Sequence, residues 1–354
     1  MMKTFNIAED TITTQITVTN GFFDGGLGTL AGSSFTTSSL STTQKSYYYN
    51  LQHNSKDMFS VTYGHIEGSG SAEQSTTVEG TTQAIYKQFY NFTETNAEKL
   101  RDGTGFIMID GTNGANAVSQ SDVYIVAAER LQMKDRLNPG TWTVTLSGSL
   151  SNGAAHAISL TDDSKNEDAE SAPFGPRYHV VSGSAGNVKE AYTSKTYGFF
   201  YPDAGLMVLS ANALSSSLPG DPNYVTSGSG HGVTNTGNGL APDLRIADAA
   251  DNANKIRTAI QKGSITIRSE EQQYIYDYFC RAKASEYNLS QNITFWSGST
   301  YKIRHSDMVT NPQTFISEVG LYDNQNALLA VGRLSSPINK NFSSEAIVKV
   351  RLTY

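Results

Sequence analysis

The chain has 354 residues, of which 38% are hydrophobic and only 17% charged, and its formal net charge is −7. This hydrophobic content is enough for a substantial core, which excludes an intrinsically disordered chain. The acidic balance, without any run of Lys and Arg, argues against direct contact with nucleic acid. Cys280 is the only cysteine, so no disulfide can form within the chain.

Most of the sequence shows β patterns. Short runs rich in β-branched and aromatic residues, bounded mostly by Gly, Asn or Pro, predict strands over residues 59–68, 105–110, 122–131 and 141–148. The segment NPG at 138–140 is typical of a tight turn, so residues 123–146 are predicted to form an antiparallel hairpin. A second hairpin is predicted around the turn YPDAG at 201–205.

Two segments carry the apolar period of a helix. Residues 81–92 place Ile85, Phe89 and Phe92 on one face. Residues 242–263 show the same rhythm and end at Gly263, a typical C-terminal stop. The apolar positions of this second helix are Ile246, Ala249, Ala253, Ile256 and Ile260.

Two polar stretches interrupt these elements. Residues 215–242 are rich in Gly, Ser and Asn and are predicted to be a loop or linker, and residues 153–175, which contain TDDSKNEDAE, are predicted to be a solvated loop. The linker divides the chain into a β-rich domain at 1–214 with one short helix and a second domain at 243–354, built from a helix and a β-hairpin.

The end of the chain predicts a half-buried strand, because Ala346, Val348, Val350 and Leu352 alternate with other residues. We expect this strand to share a sheet with a hairpin at residues 316–331. The fold class predicted for the whole chain is mainly β, with antiparallel, sandwich-like domains and two or three helices.

The motifs that resemble chemical sites have weak support. GGLGTLAG at 25–32 contains the G-x-G-x-x-A of a dinucleotide loop, but no helical pattern follows it, so a flexible turn is favoured. His65 and Glu67 would share one face of a strand, yet no third ligand lies at metal spacing. His231 lies in a glycine-rich loop, which is a poor place for a general base. Cys280 follows two aromatic residues and is expected to be a small buried hydrophobe.

The acidic pairs Asp162-Asp163 and Glu167-Asp168 lack the scaffold of a glycosidase and the spacing of an EF-hand. We therefore expect no catalytic residue, no cofactor-binding residue and no metal ligand, and the chain is not expected to be an enzyme. The N-terminal segment has no apolar leader region, and no window has the length of apolar residues that crosses a membrane.

The stretch TFISEVGLYDNQNALLAVGRLSSPI at 314–338 resembles a hairpin in structural proteins of T4-like contractile-tailed phages, particularly those of the cyanophage type. Segments at 127–148, 197–214 and 277–295 are similar to the same family in the same order. The resemblance implies a virion component of the tail or baseplate. It implies no functional residues beyond those that pack.

The expected function is therefore that of a virion structural protein, made in the host cytoplasm and assembled by contacts with other virion proteins. Self-association or a multi-copy assembly is expected, without nucleic acid or membrane partners. The alternative is a receptor- or glycan-binding protein of the tail-fibre type, whose loops contact a host surface. A tail hydrolase is a third possibility, which would need a carboxylate pair or a triad that the sequence does not display.

Overall fold

A computed structural model of the chain describes residues 3–38, 48–68, 70, 81–93, 105–109, 111, 116–220, 239–242, 252–290, 292–300 and 302–354. The described part is mainly β, with large antiparallel sheets and five helices, which confirms the predicted fold class. It forms two compact units, a large one at Val18–Glu271 and a small one that combines Met1–Thr17 with Gln272–Tyr354.

The helices are α1 (Ile7–Asp10), α2 (Thr81–Thr93), α3 (Ala211–Ser217), α4 (Asn252–Gln261) and α5 (Asp307–Thr310). The strands are β1 (Thr11–Gly21), β2 (Thr29–Ala31), β3 (Thr36–Thr37), β4 (Tyr48–His53), β5 (Lys56–His65), β6 (Phe106–Met108), β7 (Val118–Gln120), β8 (Asp122–Ala128), β9 (Arg136–Leu137), β10 (Thr143–Ser149), β11 (Ala155–Asp162), β12 (Glu170–Ala172), β13 (Gly175–Ser184), β14 (Asn187–Val188), β15 (Gly198–Tyr201), β16 (Leu206–Ser210), β17 (Ser264–Thr266), β18 (Arg268–Ala282), β19 (Trp296–Ser297), β20 (Lys302–Ile303), β21 (Gln313–Tyr322), β22 (Leu328–Asn341) and β23 (Ala346–Thr353).

The large unit is built on one sheet in the order β2-β17-β10-β11-β13-β15-β16-β8-β5-β4-β3, with β12 and β14 added to β13. Its outermost strands, β2 and β3, are separated in the chain only by residues 32–35, most of which form a 3-10 turn. The sheet therefore curves back on itself. Helix α4 packs inside this curve, in contact with β10 and β17 and also with β4 and β5.

The central strands of this sheet are buried on both faces. In β8, Tyr124 and Val126 point into the core around α4, whereas Val123 and Ile125 point into a second apolar cluster, which includes residues of α2 and β6. Strands β15 and β16 alternate between the same two clusters. Coverage of both faces explains why these strands are continuous apolar runs rather than alternating ones.

The small unit is built on strands that pair in the order β1-β18-β23, in a four-stranded sheet whose remaining strand, β9, pairs with the start of β18. Strands β18 and β23 pair antiparallel from Ile275↔Thr353 to Ala282↔Ala346. The hairpin of β21 and β22 forms a separate two-stranded sheet. A Cβ placed on Gly332 of this hairpin would lie 3.6 Å from Val350 Cγ2, so one hairpin face packs against β23.

The hairpin predicted at residues 123–146 is wrong, although its strands are present. Strand β8 pairs with β5 and β16, and β10 pairs with β11 and β17. The turn at 138–140 joins β9 to β10 instead. Because β8 is apolar on both faces, it fits the centre of a sheet with a neighbour on each side. The second predicted hairpin is confirmed, since β15 and β16 pair across residues 201–206.

The expected sheet shared by the C-terminal hairpin and the last strand is also wrong. The hairpin and the half-buried strand β23 both form, but β21 and β22 pair only with each other and β23 pairs with β18. The hairpin meets β23 through side chains, face to face. A short alternating strand has the same pattern in either arrangement, so the pattern does not specify the partner.

Both predicted helices are present. In α2 the fully buried positions are Tyr86 and Tyr90, the predicted Ile85 and Phe89 are partly buried against the same cluster, and Phe92 is exposed. In α4, Ile256 and Ile260 are buried as predicted. The expected positions Ile246 and Ala249 lie outside the described residues.

The division of the chain differs from the predicted boundary at 215–242. Residues 215–217 end α3, residues 221–238 lie outside the described part, and the following helix α4 and strand β17 belong to the large unit. The reason is that α4 fills the inside of the large sheet and β17 pairs with both β2 and β10. The predicted second domain at 243–354 is therefore split between the two units.

Candidate docking surface

The hairpin of β21 and β22 exposes one apolar face. Its other face carries the buried Leu321 and the partly buried Ile316, Val319 and Ile338. Because opposed residues of an antiparallel pair point to the same side, the pairs Tyr322↔Leu328, Gly320↔Val331, Glu318↔Arg333 and Phe315↔Asn339 lie on the exposed side. We call this set, with Leu329 at the register shift beside Leu328, the hairpin face.

The hairpin face is apolar towards its tip. A Cβ built on Gly320 would lie 2.9 Å from Tyr322 Cε2 and 3.3 Å from Leu328 Cδ1, so both side chains lean over this glycine and cover the strand. Towards the base, Glu318 Oε2 lies 3.6 Å from Arg333 Nη2 in an exposed ion pair. Such a pair adds little stability in water, but it marks the edge of the apolar area.

The tip of the hairpin is held by one side chain. Asp323 Oδ1 accepts hydrogen bonds from the backbone N–H groups of Gln325 at 2.8 Å and Ala327 at 2.7 Å. Asn326 has a φ of +64°, a conformation that Asn tolerates better than most residues. These local bonds fix the turn, and the turn fixes which apolar side chains reach the exposed side.

The base of the hairpin is anchored by a buried cation. Lys340 is fully buried, and its Nζ donates to Asn288 Oδ1 at 2.7 Å, Asn341 O at 2.9 Å and Ala284 O at 3.1 Å. The Thr314 hydroxyl donates to Tyr287 O beside it. The segment at 284–288 is thus tied to both strands, which holds the hairpin in a defined position within the small unit.

The two units differ in how many hydrophobic side chains they bury and how many they expose. Within the described residues, the small unit buries only five hydrophobic side chains, which are Ala282, Phe295, Leu321, Ala346 and Val348. It exposes fifteen large ones: Ile7, Ile12, Ile16, Tyr274, Leu289, Ile293, Val309, Phe315, Tyr322, Leu328, Leu329, Val331, Phe342, Ile347 and Tyr354. Among its described residues, the large unit exposes five, which are Leu27, Phe92, Ile107, Leu131 and Phe174. Concentrations of exposed apolar surface mark interaction sites.

We compared the chain with protein-family models, with curated proteins and with solved structures. None of them matches.

The residues that the sequence singled out for chemistry do not come together. His65 is buried in β5, and its Nδ1 accepts the backbone N–H of Glu67 at 3.1 Å, while burial lowers the pKa of His65. The glycines at 25–32 lead into β2 and a 3-10 turn rather than a helix. His231 lies outside the described residues. Cys280 is half-buried in β18, less than the sequence indicates, and burial raises the pKa of its thiol.

The acidic stretch at 153–175 is not the predicted solvated loop. Residues 155–162 form β11, and Asp162 and Asp163 are both buried. The two carboxylate oxygens of Asp162 accept the backbone N–H of Gly140 at 2.8 and 2.9 Å, and burial raises the pKa of Asp162. The carboxylate has a structural role, because it holds the turn at 138–140. Only the later acids, including Glu167 and Asp168, are exposed.

Asp163 belongs to a small polar cluster with His179. Its carboxylate accepts the backbone N–H of His179 at 3.0 Å and lies 3.2 Å from the ring Nδ1. Glu170 Oε1 lies 3.6 Å from the other ring nitrogen, and Tyr192 stacks on the ring at 4.3 Å. Each imidazole nitrogen therefore faces a carboxylate. This arrangement ties β11, β12 and β13 together and leaves neither nitrogen directed at an open site.

Asp122 at the start of β8 gives a pH-dependent test of this fold. Burial raises the pKa of Asp122 to about 6. The Tyr63 hydroxyl donates a hydrogen bond to this carboxylate at 3.4 Å, which lowers the pKa by less than burial raises it. The unfolded chain loses this proton near pH 3.8 and the folded chain near 6, so the group's contribution to stability falls as pH rises through that window. We expect Asp122→Asn to remove this pH-dependent loss. The free energy of unfolding of the variant minus that of wild type should therefore be about 2 kcal/mol larger at pH 7 than at pH 4.

The measurement is urea unfolding of both proteins across that pH range, with the exposed Asp168→Asn as control. The control should follow the wild-type curve. Parallel curves for wild type and Asp122→Asn would contradict the proposed ionisation.

In the described part of the chain, no group of three His, Cys, Asp or Glu side chains is arranged to hold a metal ion. No helix within the described ranges has the length and apolar character needed to cross a membrane. A groove on the large unit has a volume of about 890 Å³ and is lined mainly by polar residues, including His156, Ser182, Lys189 and Glu190.

Proposed function

We propose that this chain is a structural protein of a contractile-tailed phage virion, a tail or baseplate component that docks through its small unit. The observation that carries the proposal is the unequal distribution of apolar surface, since fifteen of the twenty large hydrophobic side chains that are exposed among the described residues lie in the small unit. The resemblance of residues 314–338 to phage tail proteins supports the same assignment, because those residues form the hairpin whose exposed face is apolar.

The physical argument concerns what each unit gains by folding. The large unit buries aromatic and aliphatic residues in two clusters on either side of its sheet. Among the described residues, the small unit leaves fifteen large hydrophobic side chains exposed to water. Each Å² of apolar surface that a partner buries contributes about 25 cal/mol. Obligate interfaces commonly bury more than about 2,000 Å² and are more hydrophobic than other surfaces. The small unit is therefore stabilised most when partner chains cover its exposed apolar side chains.

A low charge content also favours assembly. Only 17% of the residues are charged, and hydroxyl and amide groups cost less to remove from water than ions do. The hairpin face has one ion pair at its base and apolar side chains towards its tip. A partner surface can therefore cover Tyr322, Leu328 and Val331 without burying the charges of Glu318 and Arg333.

The test is incorporation into virions. We expect mass spectrometry of virions purified from the encoding phage to contain the wild-type chain, and we expect Val331→Lys on the hairpin face to reduce its incorporation at least about tenfold, as for a central interface residue. The matched control is Leu131→Lys, because Leu131 is 88% exposed in the large unit. Absence of the wild-type chain from virions, or equal incorporation of both variants, would contradict the proposal.

A second candidate function is receptor or glycan binding, and the groove of about 890 Å³ favours it. Its hydroxyl, imidazole, ammonium and carboxylate groups suit hydrogen bonding to sugars. Tyr197, however, is the only ring besides His156 in its lining, and it is only 5% exposed, which leaves little surface for stacking. Binding of the purified protein to host cells, abolished by Lys189→Ala, would favour this function over the first.

A further inference from the structure

Strand β1 forms an unprotected edge of the small-unit sheet. Within the described residues it is hydrogen-bonded to β18 and to no second strand. Every residue from Ile12 to Thr17 is exposed, with Ile12 at 54% and Ile16 at 36%. Natural proteins usually protect such edges with Lys, Pro, a bulge or a covering loop. Residues 11–17 contain no charged residue and no proline.

The orientation of β1 is fixed by its contacts within the small unit. Gln15 Nε2 donates to Gln272 Oε1 at 2.7 Å, which joins β1 to the neighbouring part of β18. On the opposite side of the sheet, Asp10 Oδ1 lies 3.4 Å from Arg281 Nε. Since side chains alternate along a strand, Ile12, Thr14 and Ile16 point to the Arg281 side. Their backbone edge away from β18 is the surface that remains open.

The sequence of this edge is nearly a palindrome. Residues 11–17 read TITTQIT, and reversal about Thr14 changes only the pair Thr13 and Gln15. If two copies pair antiparallel with Thr14 opposite itself, Ile12 of one copy lies opposite Ile16 of the other on the same face. Cross-strand pairs of β-branched residues stabilise antiparallel sheets, and no charges oppose each other in this register.

We propose that β1 pairs with β1 of a second copy of this chain, across a two-fold axis at Thr14. The pairing joins the two β1-β18-β23 sheets, one from each copy, into one continuous sheet through backbone hydrogen bonds. It creates an isologous interface, in which both copies use the same surface and every contact occurs twice, as when Ile12 of each copy meets Ile16 of the other. The inference deepens the proposed assembly role by naming one partner, and it can fail independently of that role.

A second copy fits this edge better than an unrelated strand does. An isologous contact requires a surface that is complementary to itself, and the palindrome supplies this property residue by residue. The two Ile12–Ile16 pairs would lie on the same face of the joined sheet, one on each side of the Thr14 pair at the axis. An unrelated partner needs only an open edge and would not require the symmetric placement of these isoleucines.

Disulfide trapping tests the register directly. In a Cys280→Ala background, Thr14→Cys places two cysteines opposite each other, with Cα atoms about 4.5–5.5 Å apart, within disulfide reach. Thr17→Cys is the matched control, because residue 17 of the two copies would lie about 20 Å apart at 3.4 Å per residue. With oxidised glutathione as the oxidant, we expect most of the full-length Thr14→Cys chain to become a covalent dimer and Thr17→Cys to remain uncross-linked.

Charge variants provide a second readout. Thr14→Lys and Thr14→Glu should each be monomeric by analytical ultracentrifugation, because like charges would meet at the axis, and an equimolar mixture should form dimers again. Thr353→Lys on β23, the opposite edge strand, should leave the dimer unchanged. Equal cross-linking at residues 14 and 17, or a monomeric wild type at 100 μM, would overturn the pairing. If the wild-type chain is monomeric but present in virions, the proposed pairing of β1 is contradicted and the proposed function is not.

Discussion

We expect Gly263→Ala to destabilise the large unit by about 3 kcal/mol or more, because the added methyl has no space. A Cβ at this position would lie 1.8 Å from the backbone oxygen of Thr145. The carbonyl oxygen of Gly263 accepts the backbone N–H of Gly32 at 2.8 Å. A Cβ on Gly32 would lie 2.0 Å from Ile260 O. These two glycines allow the end of α4, β10 and the turn before β3 to approach where the sheet curves back on itself.

Urea unfolding followed by circular dichroism measures this effect. Gly28→Ala is the matched control, since its nearest neighbour would lie 3.6 Å away, at ordinary contact distance. We expect the control to stay within about 1 kcal/mol of wild type. A Gly263→Ala protein as stable as the control would show that the backbone segments are not in close contact there.

We expect Lys340→Ala to destabilise the small unit by about 3–4 kcal/mol, because the aliphatic chain would leave a cavity and the buried Asn288 Oδ1 would lose its donor. The carbonyls of Ala284 and Asn341 would each lose one of the donors that they now accept. The ammonium group satisfies Asn288 Oδ1 and the carbonyls of Ala284 and Asn341. Loss of this anchor should also release the base of the hairpin. Amide hydrogen exchange in residues 313–341 should therefore accelerate, while exchange in β8 and β16 stays unchanged.

The exposed Lys302→Ala in the same unit is the control, and it should have little effect on either measurement. Lys340→Met separates the two causes, because it restores most of the lost volume but no donor. A stability for Lys340→Met equal to that of wild type would indicate that the three hydrogen bonds contribute nothing net.

The sequence predicted local elements better than their partners. Turn residues at 201–205 and alternating residues at 346–352 specify strands through interactions of near neighbours, and both predictions are confirmed. The pairing of β8 with β5 and β16 depends on contacts far apart in the chain, and a strand that is apolar on both faces fits many partners equally. The misassigned hairpin at 123–146 follows from this ambiguity.

Charge alone was a misleading guide at Asp162 and Asp163. An acidic stretch is usually solvated, but here the first two carboxylates accept backbone N–H groups from a turn and from a neighbouring strand. The signal that could have located them is the run AHAISLTD, whose alternation continues into the first aspartate. For the docking surface, the sequence predicted the hairpin at 316–331, but not that Tyr322, Leu328 and Val331 would be exposed together. Their exposure depends on which face packs against β23.

The most direct test of the account is the protection of the hairpin face in the assembled particle. Amide hydrogen exchange with mass spectrometry would compare residues 313–341 in the free protein and in intact virions, with β8 as the internal reference, because its Val123, Tyr124 and Ile125 are already buried. We expect exchange in the hairpin to slow at least about tenfold on assembly, with β8 unchanged. Equal exchange of the hairpin in both states would show that no partner covers this face, and the proposed docking role would be contradicted.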